Sequence, residues 1–124
     1  MLIHYILTGI GGAIGAISRV AASQLFPENI YGIPAQILFI NVLGCFFMGA
    51  LTEGAALHFS ISDNMKYFLI SGFLGGFTTF SSFALEVGNL TEKNDYSLAI
   101  IYILASVTLS ITCFFGAVKL VKII

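Results

Sequence analysis

Four hydroxyl side chains fall within five positions, at Thr78, Thr79, Ser81 and Ser82, and phenylalanine is interleaved with them. The whole stretch is Gly72-Phe73-Leu74-Gly75-Gly76-Phe77-Thr78-Thr79-Phe80-Ser81-Ser82-Phe83. It contains no Ser/His/Asp set, no paired carboxylates and no Walker arrangement, and neither does the rest of the chain. Covalent chemistry therefore has no foothold, and the chain reads as a non-enzyme. What hydroxyls can do is donate and accept hydrogen bonds. Two adjacent glycines and two adjacent threonines are poor helix residues, yet here they occupy the middle of an apolar run from about Lys66 to Val87. A backbone broken at mid-membrane exposes polar groups, which survive in lipid only against protein, an ion or a water-filled path. The stretch reads as the centre of a membrane-embedded ion pathway.

The composition agrees with a membrane setting. Of 124 residues, 58% are hydrophobic and 9% charged, with mean hydropathy +1.01, whereas a soluble domain carries about 25% charged residues. At about 20 apolar residues per span, four helices use nearly the whole chain. The expected fold is all-α, a single transmembrane domain over residues 1–124, with spans at about 3–23, 33–56, 66–89 and 96–118 and the third helix broken near mid-membrane. A net charge of −1 implies no nucleic-acid or polyanion partner. The first run has no preceding Lys or Arg, so it is expected to be a retained span and not a signal peptide. Cys45 and Cys113 lie in apolar runs without CxxC spacing or a nearby His cluster, and read as small, reduced hydrophobes.

The spans carry a sparse set of unusual residues. Gly11-x-x-x-Gly15 and Gly12-x-x-x-Ala16 in span one are small-residue pairs that let another helix backbone come close. Gly44 and Gly49 continue this pattern in span two, where Pro34 suits the first helical turn. Arg19, one turn from the end of span one, either snorkels to the interface or places a charge at the mouth of an anion path. Asn41 must find hydrogen-bond partners in lipid, either across helices as a packing device or along an ion route. Glu53 and His58 are read as interfacial. Glu86 is either interfacial or part of a vestibule, the latter favoured by Ser82 at i−4 on the same face. Tyr102, Ser106 and Ser110 recur at i, i+4 and i+8 and line one face of span four.

Four spans put both termini on one side. Lys66, Lys119 and Lys122 then face one side and Arg19 and Lys93 the other. Three against two is too small a bias to fix orientation. It permits insertion both ways and pairing of opposite copies into an antiparallel dimer, the inverted symmetry found in many transporters.

Three segments in register resemble the CrcB/Fluc family of fluoride channels. Gly11-Gly12-Ala13-Ile14-Gly15-Ala16-Ile17-Ser18-Arg19 is similar to its GGxxGAxxR segment, Asn41-Val42-Leu43-Gly44 to its NxxG segment, and Gly72 to Phe83 to its GxxGGxTTFSTF segment. Ser82 departs from the usual threonine but keeps the hydroxyl, and Val20 stands where an aromatic commonly follows the arginine. The resemblance spans the chain in length, order and spacing. It implies a dual-topology homodimer in the cell inner membrane, a passive fluoride-selective channel that exports the ion from the cytoplasm. It further implies a structural sodium ion at the dimer interface, held by the backbone carbonyls of Gly75 and Thr78. Phe80 and Phe83 become pore-lining, with Asn41, Ser81, Tyr102, Ser106 and Ser110 as donors, and Arg19 and Glu86 become vestibule or structural charges. Expected partners are a second copy, fluoride and lipid.

Two rivals remain at this level. A small dual-topology multidrug or cation exporter has a similar length, but such proteins need a buried glutamate in the first span, and span one has no Asp or Glu. A packing subunit of a larger complex would explain the glycines and leave the hydroxyl–phenylalanine core unexplained.

Overall fold

A computed structural model describes residues 1–124. Its elements are α1 (Leu2–Ser23), a hairpin of β1 (Asn29–Ile30) and β2 (Ile33–Pro34), α2 (Ala35–Leu57), α3 (Asp63–Lys66), a π-wound stretch (Tyr67–Leu74), α4 (Gly75–Phe77), α5 (Phe80–Glu92) and α6 (Tyr96–Ile123). Four helical stretches are long and apolar enough to cross a membrane: Leu2–Ser23, Ala35–Leu57, Asp63–Glu92 and Tyr96–Ile123. The protein is helical with four membrane-spanning stretches, as its apolar runs predict.

The connection before α2 differs from the expected loop. Asn29 pairs with Pro34 and Ile30 with Ile33 in an antiparallel ladder. Tyr31 and Gly32, the two turn residues, have φ of 52° and 87°, the left-handed pair of a type I′ turn. Pro34 therefore precedes α2 as its N-cap residue, with ψ 112°, and is not inside the first turn. Gly32 is needed twice over: its φ suits glycine, and a Cβ there would come within 2.8 Å of Leu98 Cδ1 on α6. The Ala35 amide donates to Glu28 O at 3.1 Å, and Gln36 Nε2 donates to Phe26 O at 3.2 Å, tying the hairpin to the top of α2.

The helices associate as two close pairs. α1 packs chiefly on the π-wound stretch, and α2 chiefly on α6. The first pair depends on glycine. A Cβ at Gly15 would collide with Phe73 O and lie 3.0 Å from Phe77 N, and one at Gly11 would collide with Phe68 O. These backbones touch because the side chains are missing, which is how membrane helices gain van der Waals contact without a hydrophobic drive. Gly12 takes part as well, since a Cβ on Gly76 would meet Gly12 O and Gly12 Cα. The π winding of Tyr67–Leu74 lies against this face, and Thr8 Oγ1 donates to Tyr67 O at 3.5 Å. No residue type in the stretch announces that winding.

The interior of one chain is small. Phe83, Leu90, Ala99 and Tyr102 form its buried cluster, flanked by Ile33, Ile37, Leu38, Val87 and Leu98. Ile40, Leu74, Phe77, Ala117 and Val121 are buried outside this cluster, and many other apolar side chains point outward, as with Ile3, Ile6, Ile10, Ile14 and Ile17 along α1. In water such a surface would drive aggregation; against lipid tails it is solvated.

Gly15→Ala is expected to lower the melting temperature in detergent, because overpacking of a close contact costs about 1–3 kcal/mol. Gly9→Ala, where a Cβ meets nothing within 4 Å, should melt like the parent. Equal melting of all three proteins would show that the α1 contact does not hold the fold.

Candidate functional site

The site is built where α4 ends and α5 begins. Thr78 and Thr79 adopt extended backbone between them, with φ/ψ of −84°/156° and −152°/119°. The peptide groups of this pair need partners, and side chains supply them. Asn41 on α2 pairs with Thr79 in both directions: Nδ2 donates to Thr79 O at 2.9 Å, and Oδ1 accepts from Thr79 N at 2.8 Å. The amide side chain thus stands in for a neighbouring backbone strand. Thr79 is also the N-cap of α5, its Oγ1 accepting from Ser82 N at 3.1 Å and sharing a hydrogen bond with Ser81 Oγ at 3.2 Å. Thr78 donates to Leu74 O through both its amide, at 3.1 Å, and its hydroxyl, at 3.0 Å. Gly44, three residues beyond Asn41, leaves room for Thr78 Cγ2 against α2.

This arrangement leaves carbonyls over. Thr78 O receives no hydrogen bond from the chain. In a continuing helix Gly75 O would accept from the amide of Thr79, but that amide is taken up by Asn41 Oδ1, and the Thr78 amide by Leu74 O. Gly75 is exposed and has only Ile70 O near its missing Cβ, at 3.6 Å. Freed carbonyls suit a hard cation, which prefers oxygen ligands. No group of three or more His, Cys, Asp or Glu is placed to hold a metal, so backbone oxygen is the donor set available for one.

Beside the turn, between α2 and α6, lies a cavity of about 320 Å³. Asn41, Phe80, Phe83, Ser106 and Ser110 line it, and no lining residue carries a charge. Three aromatic rings run in series: Phe80 to Phe83 at 5.2 Å between centroids, and Phe83 to Tyr102 at 5.2 Å. Phe80 is 77% exposed, while Phe83 and Tyr102 are buried. The hydroxyls of Tyr102 and Ser106 are buried without any hydrogen-bond partner. Such groups cost free energy unless something else satisfies them. The site offers neutral donors and ring edges, with no general base or nucleophile activated beside them.

Not every candidate residue joins this cavity. Ser81 is bonded to Thr79 and does not line it, and neither does Tyr102, whose ring packs on Phe83. Glu86 lines a separate cavity of about 790 Å³ at the hairpin end, with Glu28, Glu92, Lys93 and Asp95. Arg19 lines neither, and its Nε is buried without a partner. Gly11, Gly12 and Gly15 serve the contact between α1 and the third span. Two residues at the centre escaped the sequence expectations. Thr79 is the partner of Asn41 and the cap of α5; a threonine directly before the phenylalanine–serine run carries an N-cap signal. Cys45, four residues past Asn41, lines the cavity.

Residues 6–118 match the family described as CrcB-like protein, Camphor Resistance (CrcB). Among curated proteins, one of Azobacteroides pseudotrichonymphae is 41% identical over 108 residues, covering 86% of each chain. One of Rhizobium etli is 37% identical over 123 residues, covering 98% of each. One of Chelativorans sp. is 42% identical over 123 residues, covering 96% of each. All three relatives are named fluoride-specific ion channel FluC.

Asn41→Ala would leave the amide and carbonyl of Thr79 without partners, at about 1–3 kcal/mol for each orphaned buried group. The expected result is a clear fall in melting temperature. Unchanged melting would mean that water or lipid headgroups reach Thr79 and that Asn41 does not hold the turn.

Proposed function

The chain belongs to the CrcB-like family, and we infer that it is a passive, fluoride-selective channel that lets the ion leave the cytoplasm across the cell inner membrane. The observation that carries this reading is the uncharged cavity beside Thr79, where Asn41, Ser106 and Ser110 meet the rings of Phe80 and Phe83. Fluoride is small and strongly hydrated. It must exchange water for good donors, while conduction requires that no site hold it tightly. Neutral donors and positive ring edges meet both demands. Asn41 keeps one amide hydrogen after bonding to Thr79, because an amide nitrogen has two. The unpartnered hydroxyls of Ser106 and Tyr102 supply further donors, with Ser81 beside Thr79. Arg19 and Glu86 act at the mouths or on the fold.

The extended pair Thr78–Thr79 is the break of a discontinuous third span at membrane depth. Two copies in opposite orientations form the working unit. The nearly even split of basic residues allows both orientations, and the outward position of Phe80 and Gly75 suits a facing copy. The carbonyls of Gly75 and Thr78 from both copies hold one sodium ion as a structural element, consistent with the free Thr78 oxygen. A cation there satisfies backbone that lipid cannot and offsets part of the cost of an anion nearby. Export follows from acid chemistry. Hydrogen fluoride enters as a neutral molecule and dissociates inside, and the channel releases the trapped ion down its electrochemical gradient. The exporter alternative fails on the absence of any Asp or Glu in α1.

Purified protein in liposomes should release fluoride and retain chloride, followed with ion-selective electrodes. Absence of fluoride release from well-formed dimers would overturn the channel, and comparable chloride release would overturn selectivity. Phe80→Ile and Asn41→Asp should each reduce release to the leak of protein-free liposomes while the dimer still forms; normal release in both would remove these residues from the route. Exchange of sodium for a large organic cation during purification should lower the melting temperature, since loss of a native-state ligand destabilises. Identical melting in either salt would count against the ion.

A further inference from the structure

The wall of the cavity between α2 and α6 carries one thiol. Cys45 is a free, half-buried thiol on its wall, one helical turn past Asn41, with Ser106 and Ser110 lining the same space. Gly44, beside it in sequence, brings Thr78 of the turn against α2, so the thiol sits close to the point where the third span changes direction. A second observation marks the space as made for a polar occupant: Ser106 is 6% exposed, lines the cavity, and its hydroxyl has no partner. The other free thiol, Cys113, is half-buried three residues past Ser110 and does not line the cavity. The chain therefore carries its own control.

Size and polarity define what can react there. A volume of about 320 Å³ corresponds to roughly ten water molecules at about 30 Å³ each. That admits a small reagent and is narrowed by any group left behind. The lining has no charge, so a neutral reagent enters more readily than a charged one. We propose that Cys45 is a modification site at which small, neutral thiol-reactive compounds close the ion route. This rests on the cavity being that route. With methyl methanethiosulfonate the Cys45 thiol gives its proton to buffer and the thiolate attacks the methylthio sulfur. A bond forms between the two sulfurs, and the bond to the sulfonyl sulfur breaks with its electron pair, releasing methanesulfinate. The cysteine is oxidised to a mixed disulfide and the sulfonyl sulfur is reduced. A thiomethyl group then stands between Asn41 and Ser110, where it displaces water and covers donors. A dithiol reductant reverses the step by thiol–disulfide exchange.

The test uses the full-length protein in liposomes, with fluoride release measured before and after methyl methanethiosulfonate and labelling read by mass spectrometry. The expected result is labelling of Cys45, loss of release to the protein-free leak, and recovery with dithiothreitol. Cys113→Ala should remain sensitive. Cys45→Ala should show release that the reagent does not change. Full release from protein labelled at Cys45 overturns this proposal alone, as does failure of Cys45 to label or sensitivity that persists in Cys45→Ala. No release from the unmodified protein would overturn the channel reading and this proposal with it.

Discussion

The fold turns on where the backbone polar groups of Thr78 and Thr79 go. In lipid no water accepts them, and each unsatisfied group costs several kcal/mol. The chain answers with one side chain from another span: the Asn41 amide meets the Thr79 peptide with two hydrogen bonds of 2.8 and 2.9 Å. That pairing fixes α2 against the start of α5. It also sets the direction in which α5 leaves, because the same residue caps that helix through Ser82 N. The aromatic series Phe80, Phe83 and Tyr102 is aimed by this one junction.

The rest of the structure makes the junction reachable. Glycine on α1 lets the third span lie so close that main-chain atoms touch, and Gly44 does the same for Thr78 on α2. Bulkier residues would lift the third span away and put Thr79 beyond the reach of Asn41. The glycine contacts and the Asn41 pair are therefore parts of one device, in which close approach makes a polar contact possible and the polar contact fixes the register. The hairpin supports it from the side, since the Tyr31–Gly32 turn rests on Leu98 at the start of α6, and α6 carries Ser106 and Ser110 to the cavity.

Much of this is legible in the residues. Apolar runs interrupted by charge mark the four spans, and the pairs around Gly11 and Gly15 announce close packing. Asn41 in an apolar run demands a partner on its residue type alone. The identity of that partner does not follow from residue type, because Thr79 lies 38 positions away and nothing local encodes the pairing. The hairpin was hidden for a different reason: a type I′ turn favours Asn or Asp at its first position, and here that place is held by Tyr31. Periodicity puts Tyr102, Ser106 and Ser110 on one face of the fourth span, but a shared face does not say what each hydroxyl meets, and of the three Ser106 and Ser110 line the cavity.

The π winding of Tyr67–Leu74 has a consequence for length variation. A π turn takes up about one more residue than an α turn, and one residue of α-helix is about 100° of rotation. Everything beyond the stretch is therefore phased to its residue count. Losing a single residue between Tyr67 and Leu74 would let that turn rewind as α and keep the following glycines close to their phase on α1, whereas rewinding at full length, or gaining a residue, would swing them off it. Substitution there is a matter of fit and insertion a matter of phase, while the π turn holds the one residue the segment could lose.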